Sequence, residues 1–314
     1  MIMDSMKHLQ LSLILLGISL WIAGHLFAET PDAAESPQFV FGVVADVQYC
    51  DCDPHGTRYY RHSIEKLTEA VQVFNANDLA FVIQLGDLID RQFESFGEIL
   101  PIYRQIEAPA YHILGNHDFL VAPADKPRIL PTLDLEQRYY AFTVQGWRFL
   151  VLDGTDLSTY ATPNDSAKYH EAEALLAQGQ AAGVPQAQTW NGGLSQEQMA
   201  WVHAQLELAV HQDEQVVLFC HFPAFPRDKH ALWNDTELIA LLEAYPNVVA
   251  YMNGHNHAGN YGYKHGIHYV NLRGMVETAD YTAYALVAVY PDHLQILGKG
   301  REPDRRLPAR ALRQ

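Results

Sequence analysis

Apolar residues along the chain fall into short runs that each stop abruptly at polar or glycine positions. Residues 39–45 (FVFGVVA) are β-branched and aromatic and end at Asp46, which predicts a buried strand delivering the next residues to a sheet edge. The same grammar recurs at 79–85, 110–114, 148–152, 215–220 and 248–252, predicting further short buried strands. Between them the spacing changes. Tyr60, Ile64, Leu67, Val71 and Phe74 recur at steps of three and four within 57–75, one face of a helix. A second helix is opened by Ser195 with Gln198 three residues on, a capping box, and turns Met199, Val202, Leu206 and Ala209 inward. Runs at 267–272, 284–289 and 293–297 lack helical spacing and predict an antiparallel strand group. Early strand-helix units followed by late strands predict an α/β sandwich. The stretch 155–193 is rich in Ala, Gln, Gly and Pro with little sustained periodicity. It reads as a functional insertion or lid within a single domain spanning 39–314.

Charge narrows the partners. Of 314 residues, 21 are Lys or Arg and 37 are Asp or Glu, a formal net charge of −16, so a broad grip on nucleic-acid phosphates is excluded and an anionic small molecule must be held locally. No protein partner can be inferred. At the N-terminus Lys7 precedes a largely apolar run at 9–27 that closes on Ala28. This predicts a signal peptide over 1–28, a polar linker over 29–38, and export to a periplasmic or extracellular compartment; the alternative is an uncleaved membrane anchor. The three cysteines, Cys50, Cys52 and Cys220, give no disulfide framework. Cys50 and Cys52 are expected to be too close for an unstrained bridge, and Cys220 reads as a buried hydrophobe.

Five polar clusters stand where the apolar runs end: DVQ at 46–48, GDLID at 86–90, GNHD at 115–118, HFP at 221–223 and GHNH at 254–257. Each fragment alone is weak. Carboxylate, amide and imidazole side chains gathered from several strand ends are, however, what two adjacent divalent cations require, with one carboxylate shared between them. Glycines before the ligands allow sharp strand exits and close backbone approach.

In this order and placement the clusters resemble the calcineurin-like metallophosphoesterase superfamily. The resemblance implies an αββα sandwich of two mixed sheets flanked by helices, with the site at the strand ends. It implies one metal on Asp46, Gln48, Asp87 and His257, and a second on Asp87, Asn116, His221 and His255. Gln48 departs from the histidine that most of the superfamily carries, and an oxygen donor there favours harder ions. The same Gln, with the strings GTRYYRHS (56–63), WNGGLSQEQMAWV (190–202), LWN (232–234), VNLRGMVETA (270–279) and GKGREPDR (298–305), resembles the manganese-dependent ADP-ribose/CDP-alcohol diphosphatase branch. That branch implies Mn2+, with Mg2+ or Fe2+ as substitutes, and hydrolysis of a nucleoside diphosphate-X to nucleoside monophosphate and X-phosphate. By family analogy His117 donates a proton to the leaving oxygen, with Asp118 orienting its ring.

Substrate contacts are read with their bland alternatives. Arg58 and Arg61, at the start of the first helix, either face a phosphate or form a solvated turn. Asn191 either belongs to a substrate-contacting turn or leads into the capped helix. Trp233 either stacks on a nucleobase or packs. Three further readings of the whole chain stay open: a phosphomonoesterase, a cyclic-nucleotide phosphodiesterase on the same centre, and a non-catalytic nucleotide sensor.

Overall fold

The computed structural model describes residues 36–309; the expected signal peptide (1–28) and most of the expected linker (29–38) lie outside the described residues. The elements are β1 (Phe39–Val44), α1 (Ser63–Asn75), β2 (Phe81–Gln84), α2 (Ser95–Tyr103), β3 (Ala110–His112), α3 (Ile129–Thr132), β4 (Tyr140–Val144), β5 (Trp147–Val151), α4 (Ala167–Ala181), α5 (Gln196–His211), β6 (Gln215–Phe219), α6 (Asp235–Glu243), β7 (Val248–Asn253), β8 (Asn260–Lys264), β9 (Ile267–Asn271), β10 (Ala283–Val289), β11 (His293–Gly300) and β12 (Arg305–Pro308).

Two six-stranded mixed sheets form, in the orders β12-β11-β10-β1-β2-β3 and β4-β5-β6-β7-β9-β8. Strands β1, β2 and β3 run parallel, as do β5, β6, β7 and β9. The interior strands β1, β2, β6 and β7 are largely apolar on both faces because both faces are covered, whereas the edge strand β3 is partly exposed. Between the sheets, Phe41, Phe81, Phe149 and Phe219 form a continuous aromatic packing, with Phe41 and Phe81 stacked at 4.7 Å. The outer faces carry α1 and α2 on the first sheet and α5 and α6 on the second. Two sheets inside two helical layers make the expected αββα sandwich. Among the described residues no helix is long and apolar enough to cross a membrane.

Four expectations are corrected. The run at 267–272 does not join the antiparallel group: β9 pairs in parallel with β7 in the second sheet, while β10, β11 and β12 form the antiparallel group in the first. The 57–75 helix begins at Ser63, because Thr57 to Tyr59 is instead held in backbone pairing with 276–278. Only half of the capping box forms. Ser195 Oγ accepts from the Gln198 amide at 3.2 Å, but the Ser195 amide donates to Asp156, and the Gln198 side chain serves Asp153. Cys50 and Cys52 are disulfide-bonded, whereas Cys220 is free and buried.

The stretch 155–193 carries α4, a helix that periodicity does not announce because only Ala172 and Leu176 of its face are buried. They pack with Leu157, Ala187 and Trp233.

Candidate metal centre

The parallel strands aim their carboxyl ends at one place. Asp46 and Gln48 follow β1, Asp87 follows β2, Asn116 follows β3, His221 follows β6, and His255 and His257 follow β7. The backbone bends sharply to present them. Asp46, Gln48, Asp87 and His255 all have positive φ (52°, 43°, 56° and 69°), a conformation that costs about 1–3 kcal/mol per residue and persists only where surroundings enforce it. Part of the enforcement is covalent economy at Gly115: a Cβ there would sit 2.8 Å from Asp87 Cγ and closer still to its Oδ1.

Asp87, fully buried, is the centre of the cluster. Its Oδ1 accepts from the His117 amide at 2.7 Å, and its Oδ2 lies 2.9 Å from Gln48 Nε2 and 3.2 Å from His221 Nε2. On one side stand Gln48, Asp46 and His257, with His257 Nε2 3.5 Å from Asp46 Oδ1. Opposite, His221 Nε2 is 3.1 Å from Asn116 Oδ1 and 3.2 Å from His255 Nδ1. Donor atoms of Asp87, His221 and His255 lie within 4.8 Å of one another, a spacing that suits a metal ion. The five sequence-separated segments thus meet around one carboxylate.

The donor set fits two cations. Gln48 Oε1 is buried with no hydrogen-bond partner, an arrangement that costs about 1–3 kcal/mol unless something accepts its lone pair. His221 and His255 face each other through ring nitrogens that cannot both carry protons. Burial would lower His221, yet the charge of Asp87 raises it to about 9, while burial and that neighbouring imidazole drive His255 well below the usual range. Burial alone would raise Asp87, but the adjacent imidazoles of His221 and His117 hold it below the ordinary carboxylate range. Protons here occupy positions that cations of the same charge sign would take over.

Each imidazole is aimed by a partner on its far nitrogen. His221 Nδ1 is 2.8 Å from the Leu85 carbonyl, His255 Nε2 is 2.8 Å from Asn191 Oδ1, and His257 Nδ1 is 2.8 Å from Glu277 Oε1. Burial would raise the Glu277 pKa, but the His257 contact, with Thr57 and Arg58 adding to it, holds it down at about 2.

His117 sits half a turn away on the Asn116 loop. Its Nδ1 is 3.0 Å from Asp90 Oδ1 and from the Asp90 carbonyl, and Nε2 has no hydrogen-bond partner among the described residues. Burial would lower its pKa, but Asp87 and Asp90 together raise it. The expectation that Asp118 orients this ring is therefore corrected to Asp90. Asp118 instead accepts the amides of Asp87, Leu88, Ile89 and Gly115 at 2.9–3.3 Å, knitting the β2 and β3 loops together. Burial and the charge on Asp87 push its pKa up to about 7.

The expected substrate contacts rearrange. Arg61 pairs with Asp51 and Asp53 at the surface, 2.5 and 2.8 Å away. Trp233 is buried, and its Nε1 donates to the Gln188 carbonyl at 3.0 Å; the packing alternative holds. Asn191, also buried, is spent on His255 and on the Gln186 and Lys229 carbonyls. Arg58 also stays beside the centre, 3.9 Å from Glu277 with its side chain one-third exposed (33%). Sequence reasoning missed Asp90 and Glu277. Asp90 closes the GDLID cluster and Glu277 lies inside VNLRGMVETA, so the strings held the signal without saying which ring each acid serves.

The family model of calcineurin-like phosphoesterases matches residues 39–259. A Mus musculus relative named manganese-dependent ADP-ribose/CDP-alcohol diphosphatase is 31% identical, covering 90% of this chain and 97% of its own. The Homo sapiens relative of the same name is 33% identical over 85% of this chain and 92% of its own. Among solved structures, a dimetal phosphatase from Danio rerio superposes with a TM-score of 0.80 at 26% identity, covering 87% of this chain and 100% of that one. Because the family match runs from the first strand through every metal-ligand candidate up to His257, the chain belongs to the calcineurin-like phosphoesterase family.

Proposed function

We propose that this chain hydrolyses the phosphoanhydride of nucleoside diphosphate-X compounds, ADP-ribose and CDP-alcohols such as CDP-choline among them, using two divalent cations, manganese foremost. One observation carries the reading: Asp87 stands between two donor sets, Asp46, Gln48 and His257 on one side and Asn116, His221 and His255 on the other. The substrate class is supported by the names of relatives that align over most of both chains.

Bound there, the two cations supply charge neutralisation for the phosphates and acidify a water. The chain's own residues do the rest. Asp90 fixes His117 with its Nδ1 inward, so Nε2 holds the proton for the departing oxygen. Burial would lower the His117 pKa and both Asp87 and Asp90 raise it; with Asp87 engaged by cations, Asp90 would be the carboxylate left to hold a proton on the ring. Arg58 offers a guanidinium to the phosphate that is released. Water adds to one phosphorus, the P–O–P bond breaks, and nucleoside monophosphate and X-phosphate leave.

The test is a substrate panel on chelator-stripped protein after return of manganese, magnesium or zinc. The expected result is manganese-restored turnover of ADP-ribose and CDP-choline. Fast cleavage of a phosphomonoester or cyclic nucleotide with both of these inert would overturn the reading, and so would bound manganese with no hydrolysis at all.

Export completes the proposal: the 1–28 segment directs the chain out of the cytoplasm, and the Cys50–Cys52 bridge suits an oxidising compartment. Terminal sequencing of secreted protein should begin after Ala28; a retained Met1 would favour the anchor.

A further inference from the structure

Three of the sequence strings that metal chemistry does not explain, 56–63, 270–279 and 298–305, converge on His257. The Tyr59 amide donates to the Val276 carbonyl at 2.9 Å and the Thr278 amide to the Thr57 carbonyl at 2.8 Å. Lys66, buried, donates from Nζ to the carbonyls of Met275, Glu277 and Thr278 at 3.0, 3.1 and 2.5 Å. Arg301 donates to the Gly274 carbonyl, and Glu302 accepts the Arg273 amide at 2.8 Å. All of these bonds use the backbone of 273–278. The side chain of Glu277 is left over, and it is set against His257 Nδ1.

The three imidazoles have unlike backing: a carbonyl for His221, an amide for His255, and a carboxylate for His257 alone. A charged acceptor makes a stronger bond than a neutral one and leaves the opposite nitrogen more basic. Charge accumulates on the same side. That set holds Asp46 as well as the shared Asp87, whereas Asn116, His221 and His255 add no carboxylate of their own. Asp228, further out, is committed to His230 and Asn256. Arg58 offsets Glu277 only from 3.9 Å and from a partly exposed position.

Resting on the dinuclear reading above, we propose that Glu277 is a positioning residue that makes the His257 cation site the tighter of the two, so that the sites fill in order. The His255 site is then the exchangeable one, and its occupancy sets activity when manganese is scarce.

The experiment is a Mn2+ titration of the chelator-stripped full chain, counting free Mn2+ by its electron spin resonance and heats by calorimetry. Two single-equivalent classes at least tenfold apart are expected. Glu277→Gln keeps an acceptor but not the charge, and should weaken the tighter class about tenfold; Glu277→Ala should weaken it up to about 100-fold, the range for partners of metal-bound histidines. The looser class should stay in place. Because the loop is held through its backbone, stripped variants should melt within a few degrees of the parent. If both variants leave the tighter class where it was, or shift only the looser one, the proposal fails while the dinuclear reading stands. Uptake of fewer than two Mn2+ by the parent would overturn that reading and this proposal with it.

Discussion

Gly115→Ala isolates the geometric demand of the centre. Gly115 does not have positive φ, so alanine meets no backbone penalty there and the effect is collision alone. The new methyl would lie 2.8 Å from Asp87 Cγ, against the 3.4 Å at which ordinary contact begins. It would also lie 2.4 Å from the Asp87 amide nitrogen, so the backbone of Asp87 must give way by about 1 Å as well as the carboxylate by at least about 0.6 Å, and by more at Oδ1. Asp87 cannot yield freely, because its Oδ1 takes the His117 amide and its Oδ2 faces Gln48 and His221. A displacement on the order of 1 Å in a catalytic array costs about 100-fold in rate, and overpacking of this kind costs about 1–3 kcal/mol of stability. The assay combines metal content after dialysis, kcat/KM on ADP-ribose with manganese, and a thermal melt of the stripped protein. The expected variant is folded, poorer in metal, and slower by about two decades. Full occupancy with a rate within threefold of the parent would refute the claim that Asp87 must stand where it does.

Other outcomes follow from the same geometry. His117→Ala should keep its metal content and lose about 100- to 10,000-fold in turnover; an unchanged rate removes His117 as proton donor. Burial holds His112 at about 4, below its free value of 6.5. The unfolded chain therefore takes up a proton on acidification before the native state does. The stability this confers is whole above pH 6.5 and drains between 6.5 and 4, by roughly 3 kcal/mol. Denaturant melts should show that fall, His112→Phe should flatten it, and an identical pH profile in the variant would contradict the assignment. Trp233→Phe should cost about 1 kcal/mol of stability from the lost Gln188 bond and leave KM unchanged; a tenfold rise in KM would restore the nucleobase-stacking alternative.

The metal ligands were legible because each stands at or within a few residues of the end of an apolar run, so a strand end and a coordinating side chain are announced together. Asp46 after FVFGVVA and His221 after QVVLFC are the plainest cases. What was hidden is non-local. Strand β9 is buried at every position, so its sequence carries no alternation to say which sheet, or which direction, it joins. Helix α4 hides for the opposite reason, having too little buried face to set a period. Asp118 is the sequence neighbour of His117, yet the fold turns it to the backbone amides and brings Asp90, 27 residues away, to the ring. Glu277 reaches His257 through pairing of 276–278 with 57–59, a contact that no local pattern encodes. The Cys50–Cys52 bridge runs against the expectation drawn from spacing alone.

The most direct test is anomalous X-ray diffraction from crystals of the full chain grown with manganese. Two manganese peaks flanking the Asp87 carboxylate, one within bonding reach of Gln48 Oε1 and the other of His221 Nε2, are the predicted result. A single peak, or peaks remote from Asp87, would contradict the account.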